Sequence, residues 1–410
     1  MLRLPIENTS DKKGEIMAEW KNYTLEEVCE RIYSGGTPST KHEEYWNGDI
    51  KWLSSGETSQ RFVYDTERKI TQEGVENSST KLATKGCTVI ATAGQGYTRG
   101  QASFLMTDTY MNQSVIACKA NENVILPLYL YYNLDSRYEE FRLLSDGTST
   151  RGGLSGWILK RMEIKLPPKS SQKKIIDILY SIDRKIEENK AINNNLEQQA
   201  QAIFTNEFLS LETLPDGWKQ ASLIDIADYL NGLAMQKYRP STDETGIPVL
   251  KIKELRQGCC DDNSELCSPN IKSDYIIHDG DVIFSWSGSL LVDFWCGGVC
   301  GLNQHLFKVT SAKYDKWFYY AWTRHHLDRF IAVAADKATT MGHIKRDELA
   351  KAEVLIPNEK DYNRIGALLQ PIFDLIISNR IENKKLAETR DTLLPKLISG
   401  EVDISEGDYE

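Results

Sequence analysis

The chain has 410 residues, of which 40% are hydrophobic and 26% charged, and carries a formal net charge of −10. That length exceeds one ordinary domain, the composition is that of a globular protein, and no apolar run approaches the roughly 20 residues of a membrane span. An acidic balance argues mildly against a nucleic-acid partner, but much of the excess falls in the tail after Gly400, so two near-neutral globular units can each carry a basic face.

Residues 1–19 are polar and lack the apolar core and small-residue cleavage site of a signal peptide; they are expected to form a disordered N-terminal extension, and the protein is expected to be cytoplasmic. A first mixed α/β domain is read over 20–168. It opens on TLEEVCERI, where Thr24 and Glu27 form a capping box, continues through short β-rich runs such as CTVIAT and SVIACK, and ends on one aromatic-rich helix, LPLYLYYNLDSRYEEF, before the run KLPP. The prolines end that last strand, and Ser170 or Ser171 is expected to cap the helix that follows.

The segment 169–213 reads as a central spacer helix. Its apolar positions alternate at spacings of three and four, the pattern of a coiled-coil-like seam. A second domain over 214–357 repeats the β-rich runs as PVLKI and DVIFSW and has its own aromatic helix, YDKWFYYAWTRHHLDRF; a distal spacer helix over 358–400 and an acidic tail over 401–410 complete the chain. The predicted seam comprises Ile175, Leu179, Ile182, Ile186, Asn189 and Leu196, with Ile365, Leu369, Ile372, Ile376, Asn379 and Leu386 in the second half. Asn189, Asn193, Asn379 and Asn383 fall on or beside it, where polar residues fix register.

The two halves are copies. At a constant offset of 190 residues Gly152 meets Gly342, Glu163 meets Glu353, Pro167 meets Pro357, Leu179 meets Leu369 and Asn189 meets Asn379. Trp20–Val28 parallels Trp218–Ile226, and MNQSVIACK parallels LNQHLFKV. Internal repetition of this kind defines the architecture: an α+β chain with two mixed α/β recognition domains in tandem, each followed by a long helix. The economical packing is an antiparallel coiled coil of the two helices with pseudo-two-fold symmetry.

Catalytic signatures are missing from the sequence. There is no phosphate-loop motif, no His-Glu-x-x-His or Gly-x-Ser-x-Gly, no Asn-Pro-Pro-aromatic tetrapeptide and no paired-carboxylate nuclease pattern. Gly94, Gly96 and Gly100 precede neither a helix signal nor a ribose-binding acid and read as a loop. The 8 cysteines read as reduced thiols. The last five cluster, but their spacing supplies no ligand set, so no metal is assigned. Duplicated domains without catalytic residues point to recognition. The residues alone leave open a non-DNA scaffold or adaptor, with two binding domains on a coiled coil.

The stretches YSGGTPSTKHEEYWNGDIKWL (Tyr33–Leu53), LPPKSSQKKI (Leu166–Ile175), LPDGWK (Leu214–Lys219) and LLPKLISGEVDI (Leu393–Ile404) occur here in order, with the helices between. In this arrangement the chain resembles the specificity (S) subunit of type I restriction–modification systems, over nearly its whole length after about Ala18. The resemblance implies a non-catalytic subunit whose two target-recognition domains each read one half of a split double-stranded DNA site. Its helices are implied to set the gap and to dock two methyltransferase (modification) subunits. The implied complex uses S-adenosylmethionine to methylate adenine and, with restriction subunits, ATP and Mg to cut DNA; no cofactor is expected in this chain. Departures are Ser170-Ser171-Gln172 at the first helix start, Asp361-Tyr362 at the second, and NGLAMQKYRP in place of the Gly-Thr-Pro-Ser stretch.

Base reading needs side chains with paired donors and acceptors, and phosphate contact needs basic and hydroxyl groups. Candidates in the first domain are Thr37, Ser39 and Lys41; Ser59, Gln60 and Arg61; Gln95, Tyr97 and Arg99; and Thr148, Thr150 and Arg151. In the second they are Gln236, Lys237, Tyr238 and Arg239; Lys251, Lys253, Arg256 and Gln257; Ser287 and Ser289; and Lys337, Thr339, Thr340, His343 and Lys345. Asn112-Gln113 and Asn303-Gln304, common to both halves, are expected to be structural or backbone-contacting. Gly35, Gly36 and Gly152 are expected at positive φ. A spacer of ~60 Å fits half-sites about one DNA turn of ~34 Å apart.

Overall fold

The computed structural model of the protein describes residues 20–94, 98–146, 154–336, 344 and 346–402. It divides into two units, residues 1–183 with 389–410 and residues 184–388. The central helix, Lys169–Phe204, and the distal helix, Glu359–Ser399, each contribute one part to each unit. Among the described residues no helix is long and apolar enough to cross a membrane.

The first unit is closed by a strand pair. Lys21–Thr24 lies antiparallel to Glu163–Leu166, so the two ends of the domain meet. Between them a five-stranded sheet runs in the order Cys29–Ser34, Val115–Ala120, Thr88–Ala91, Ala102–Leu105, Phe62–Val63. A four-stranded sheet runs Arg68–Ile70, Trp46–Leu53, Thr109–Met111, Lys81–Ala83, with its central pair parallel. The second unit repeats the plan. Lys219–Ser222 closes on Glu353–Ile356. One sheet runs Asp228–Asn231, Leu306–Thr310, Val282–Ser285, Leu291–Phe294, and the other runs Leu266–Cys267, Ile247–Leu250, Cys300–Leu302, Ile276–Ile277, again with a parallel central pair. Both units are therefore α/β domains with mixed sheets and a long helix.

Local chemistry explains the entries. The Glu27 carboxylate accepts from the Thr24 backbone N–H (2.6 Å) and hydroxyl (2.9 Å), and Asp225 does the same for Ser222 (2.7 and 2.6 Å). These bonds satisfy donors that a helix start leaves free. The aromatic-rich segments differ from the single helices expected. Each is two helices, Pro127–Asp135 with Tyr138–Asp146 and Lys316–His325 with Leu327–Asp336. The chain tightens between them (Arg137 N to Leu134 O, 3.1 Å), and the second helix of each pair then buries Phe141 or Phe330 completely.

The helix starts also differ from expectation. The central helix begins at Lys169, directly after Pro168, whose carbonyl accepts from Gln172 N–H. Ser170 and Ser171 thus lie inside the first turn and do not cap it. Gln172, 1% exposed, anchors the joint: its side-chain oxygen accepts from Leu126 N–H (2.9 Å) and its amide donates to the Pro167 carbonyl (3.0 Å). Tyr362 stands at the equivalent place and bonds through its hydroxyl to Asp315 N–H (2.8 Å). Each side chain holds the N-terminus of the first aromatic helix of its own unit, by different chemistry.

Of the predicted seam, Ile175, Leu179, Ile186, Asn189, Ile365, Leu369, Ile376 and Asn379 are buried, whereas Ile182, Leu196, Ile372 and Leu386 are half-buried. At two turns the buried position is one residue later, at Asp183 and Phe373. In the second unit the Asn189 amide donates to Asn383 (2.9 Å) and Glu382 (2.7 Å), and the Asn379 amide donates to Asn193 (2.9 Å). These pairs leave few polar atoms orphaned in the seam.

His326 packs against Trp322 and Phe330 and donates through Nε2 to the Glu353 carbonyl (2.8 Å). Burial lowers its pKa to about 4, with the Glu353 bond opposing. The unfolded chain takes up a proton near pH 6.5 that the folded chain refuses until about pH 4. Stability contributed here is therefore complete above pH 6.5 and lost as pH falls through that window. In thermal melts between pH 7 and 4, a His326→Gln variant is expected to show a shallower loss of melting temperature than the parent; parallel curves would contradict this.

Candidate nucleic-acid interface

In the first unit the stretch after Tyr33 turns away from its strand at Gly35 and Gly36. Neither glycine has positive φ, contrary to expectation. Their necessity is steric: a Cβ on Gly35 would overlap the Met111 carbonyl, and one on Gly36 would overlap Ser79. The loop is then pinned by two indoles. Trp52 Nε1 donates to the Gly36 carbonyl and Trp46 Nε1 to the Ser39 carbonyl, each at 3.2 Å. Arg68 stacks over both rings, at 3.9 Å from Trp46 and 5.4 Å from Trp52. The Thr37 hydroxyl donates to the Gln113 side-chain oxygen. Thr37 is thus half-buried, while Ser39 and Lys41 are exposed on a fixed backbone.

The second unit builds the same joint from a different sequence. A Cβ on Gly232 would overlap the Asn303 carbonyl, and Leu233 forms a β-bridge to Asn303. Asn112 and Asn303 do matching work. Their N–H groups donate to Leu53 (3.0 Å) and Leu250 (3.2 Å), and their side-chain oxygens accept from Ser114 (3.0 Å) and His305 (3.2 Å) N–H groups. Such Asx turns give the shared asparagine a structural role. Beyond Gly232, Gln236, Lys237, Tyr238 and Arg239 are exposed.

Charge around the second-unit candidates is compensated locally. Arg239 and Lys251 both pair with Glu265, at 3.2 and 2.5 Å, and Lys253 pairs with Asp261 at 2.9 Å. Arg256 and Gln257 are exposed on the same helix. The hydrogen bond from Lys251 is the largest cause holding the Glu265 carboxyl below its ordinary pKa; burial opposes it, and Arg239 adds a lesser lowering effect.

Two expected contacts point elsewhere. Arg61 turns inward, pairing with half-buried Asp135 (2.8 Å) and buried Asp183 (3.4 Å), because the two carboxylates compete with solvent for its guanidinium. Ser287 is buried and bonds His305 Nδ1 (3.0 Å), so its hydroxyl is used internally. Ser59, Gln60 and Ser289 are exposed, and Arg99 is half-buried. Gln95, Tyr97, Thr148, Thr150, Arg151, Lys337, Thr339, Thr340, His343 and Lys345, with Gly152, lie outside the described residues. Sequence reading missed Gln172, Tyr362 and the Trp218–Asp361 bond (3.0 Å); the signal available was the flagged departure at both helix starts. Among the described residues no three His, Cys, Asp or Glu side chains come together to hold a metal ion.

A duplicated α/β frame, in which shared Gly and Asn residues anchor loops of differing polar sequence, defines a two-domain recognition protein. The chain matches the family described as type I restriction modification DNA specificity domain over residues 17–198 and 215–388, and it belongs to that family. It is the DNA-recognising specificity component of such a complex and not one of the catalytic subunits. It is 28% identical to the type I restriction enzyme MjaIX specificity subunit of Methanocaldococcus jannaschii, with 96% of each chain covered. It is 21% identical to the HindI specificity subunit of Haemophilus influenzae, over 94% of this chain and all of that one. The S subunit from M. genitalium shares the fold, with a TM-score of 0.57 at 14% identity over 92% of this chain and 96% of that one.

The anchoring glycines yield a stability prediction. Gly35→Ala and Gly232→Ala each force a backbone carbonyl to move and are expected to cost about 1–3 kcal/mol. Gly56→Ala, whose Cβ would meet nothing nearer than 3.7 Å, is expected to change stability by less than about 0.5 kcal/mol. Denaturant titrations of the three variants check this; equal midpoints would contradict the anchoring role.

Proposed function

We propose that each of the two domains reads one half of a bipartite DNA site, and that the two long helices pack as an antiparallel coiled coil with pseudo-two-fold symmetry, setting the gap and docking two methyltransferase subunits. The observation that carries the reading is the repeated frame with unlike loops. Gly35 against Met111 and Gly232 against Asn303 are one joint, while the residues it projects, Ser39 and Lys41 in one domain and Gln236, Lys237 and Arg239 in the other, differ. Unlike loops on like frames suit unlike half-sites. Antiparallel packing is supported by the Asn partners, whose numbers fall along one helix as they rise along the other. In this reading the assembly draws on S-adenosylmethionine, ATP and Mg bound by the other subunits, and the recognition domains span 20–168 and 214–357.

Adenine methylation sequencing of a host expressing the chain with its modification subunit is expected to return one two-part motif with a fixed gap. Four residues inserted after Asn195, one helical turn, are expected to lengthen that gap and leave both half-sites unchanged; a motif with the old gap would contradict the spacer role. Lys41→Ala is expected to leave the motif intact and to reduce the slope of log K against log salt by about 0.9 if its ammonium neutralises one phosphate. A salt titration in a gel-shift assay measures that slope. A complex with no sequence-dependent DNA binding would instead favour a scaffold.

A further inference from the structure

The inward turn of Arg61 is part of a larger arrangement. Arg61 Nη2 meets Asp135 at 2.8 Å and its Nε meets Asp183 at 3.4 Å. The Tyr132 hydroxyl donates to Asp183 (2.7 Å), and Arg390 Nη1 donates to the same carboxylate (2.8 Å). Asp183 is 2% exposed and Arg390 8%. The cluster thereby joins the residue that leads into the edge strand Phe62–Val63 to the aromatic helix, the central helix and the distal helix.

The second unit has a cluster on the corresponding three helices and on a strand, Leu291–Phe294, that pairs with Val282–Ser285 as Ala102–Leu105 pairs with Thr88–Ala91 in the first unit. Arg380 of the distal helix donates to Asp293 on the edge strand Leu291–Phe294 (2.6 Å) and to Glu197 of the central helix (2.9 Å). Arg324 of the aromatic helix reaches Glu197 at 3.8 Å. Burial works against the Arg380 charge, and Asp293, followed by Tyr320 and Glu197, outweighs it, so its pKa ends above the ordinary value.

Helix packing does not call for these charges. The residues related by the repeat to Asp183 and Arg390 are Phe373 and Ala200, and both are buried in one apolar cluster. An apolar pair therefore serves the helices at that place, and a buried ion pair is on average no more stabilising than such a replacement. In both units the charges also reach into the recognition domain. Apolar contact is non-directional, whereas charge-assisted hydrogen bonds fix geometry; those that cross from domain to helix are Tyr132 to Asp183 in the first unit and Arg380 to Asp293 in the second, while Arg61 makes close ion pairs. A tilt of about 10° over a domain lever of about 20 Å moves the loops by about 3.5 Å, close to the 3.4 Å rise of one base pair.

We propose that the Arg61–Asp135–Asp183–Arg390 and Arg380–Asp293–Glu197–Arg324 clusters are ionic clamps that fix the angle of each recognition domain on its helices, and so hold the gap between half-sites to a single length, independently of helix length. This rests on the bipartite reading proposed above. The clamp residues are positioning residues: they read no base.

The test uses the full chain co-expressed with its modification subunit, with methylation sequencing as the readout. Asp183→Phe combined with Arg390→Ala transplants the apolar pair of the second half and leaves Arg61 with Asp135. Arg380→Met opens the other clamp. Each is expected to keep both half-site sequences and to raise methylation at sites with a gap one base pair longer or shorter at least about tenfold over the parent. A gap as sharp as the parent's in both folded variants overturns the proposal, as does a changed half-site sequence or methylation lost in both variants with the fold intact by circular dichroism. Failure of both variants to fold assigns the clusters to stability and overturns it equally. If the bipartite reading is itself wrong, the parent shows no two-part motif, and that result is distinct from all of these.

Discussion

Everything in each unit hangs on one short strand pair. Lys21–Thr24 against Glu163–Leu166, and Lys219–Ser222 against Glu353–Ile356, bring the first and last segments of a domain into register. The chain enters and leaves at one place, and the long helix starts immediately beyond. A domain closed in this way can change its interior loops without moving its exit. The prolines at 167, 168 and 357 stop the closing strand, since proline cannot extend a ladder. Gln172 in one half and Tyr362 in the other tie the new helix back to the aromatic helix beside it.

That closure separates what is constant from what varies. Asn112 and Asn303 spend both backbone and side chain on the turn that supports the recognition loop, and the glycines opposite leave no room for a Cβ. The side-chain oxygen of each asparagine is engaged in its own turn. The loops beyond them carry the variable chemistry. An overall charge of −10 is compatible with this, because in the second unit Glu265 and Asp261 hold Arg239, Lys251 and Lys253 in fixed positions. Such acids impose order on flexible basic side chains, at the expense of the net attraction to phosphate.

The sequence was most legible where the signal is local or periodic. The run CTVIAT became the strand Thr88–Ala91, DVIFSW became Val282–Ser285, and the Thr24–Glu27 spacing became a helix start. The 190-residue repeat anticipated a like plan of sheets in both halves. What escaped depends on partners distant in the chain. Nothing around Arg61 announces that Asp135 and Asp183 fold against it, and nothing near Ser287 announces His305. A hydroxyl or guanidinium in a loop reads as available until its partner is known. The seam shows the limit of periodicity: counting apolar residues selected Ile182 and Ile372, but burial falls one residue later, because Asp183 is held by arginines and Phe373 packs on Phe294 and Tyr320.

The polar residues of the helices then fall into two kinds. The asparagines obey the repeat, which carries Asn189 to Asn379 and Asn193 to Asn383, so the pairs Asn189–Asn383 and Asn193–Asn379 are exchanged for each other. They add nothing that distinguishes one half from the other, and a polar pair in an apolar seam resists a slip in register, since any slip leaves amides facing hydrocarbon. The charges break the repeat. Asp183 with Arg390 answers to Phe373 with Ala200, and Lys185 with Glu382 (3.6 Å) answers to Leu375 with Ile192. Register needs only what both halves share, so the charges that differ must answer to something that differs. Asp183 also accepts from Tyr132 of the first recognition domain, so there the charge answers to the domain it touches.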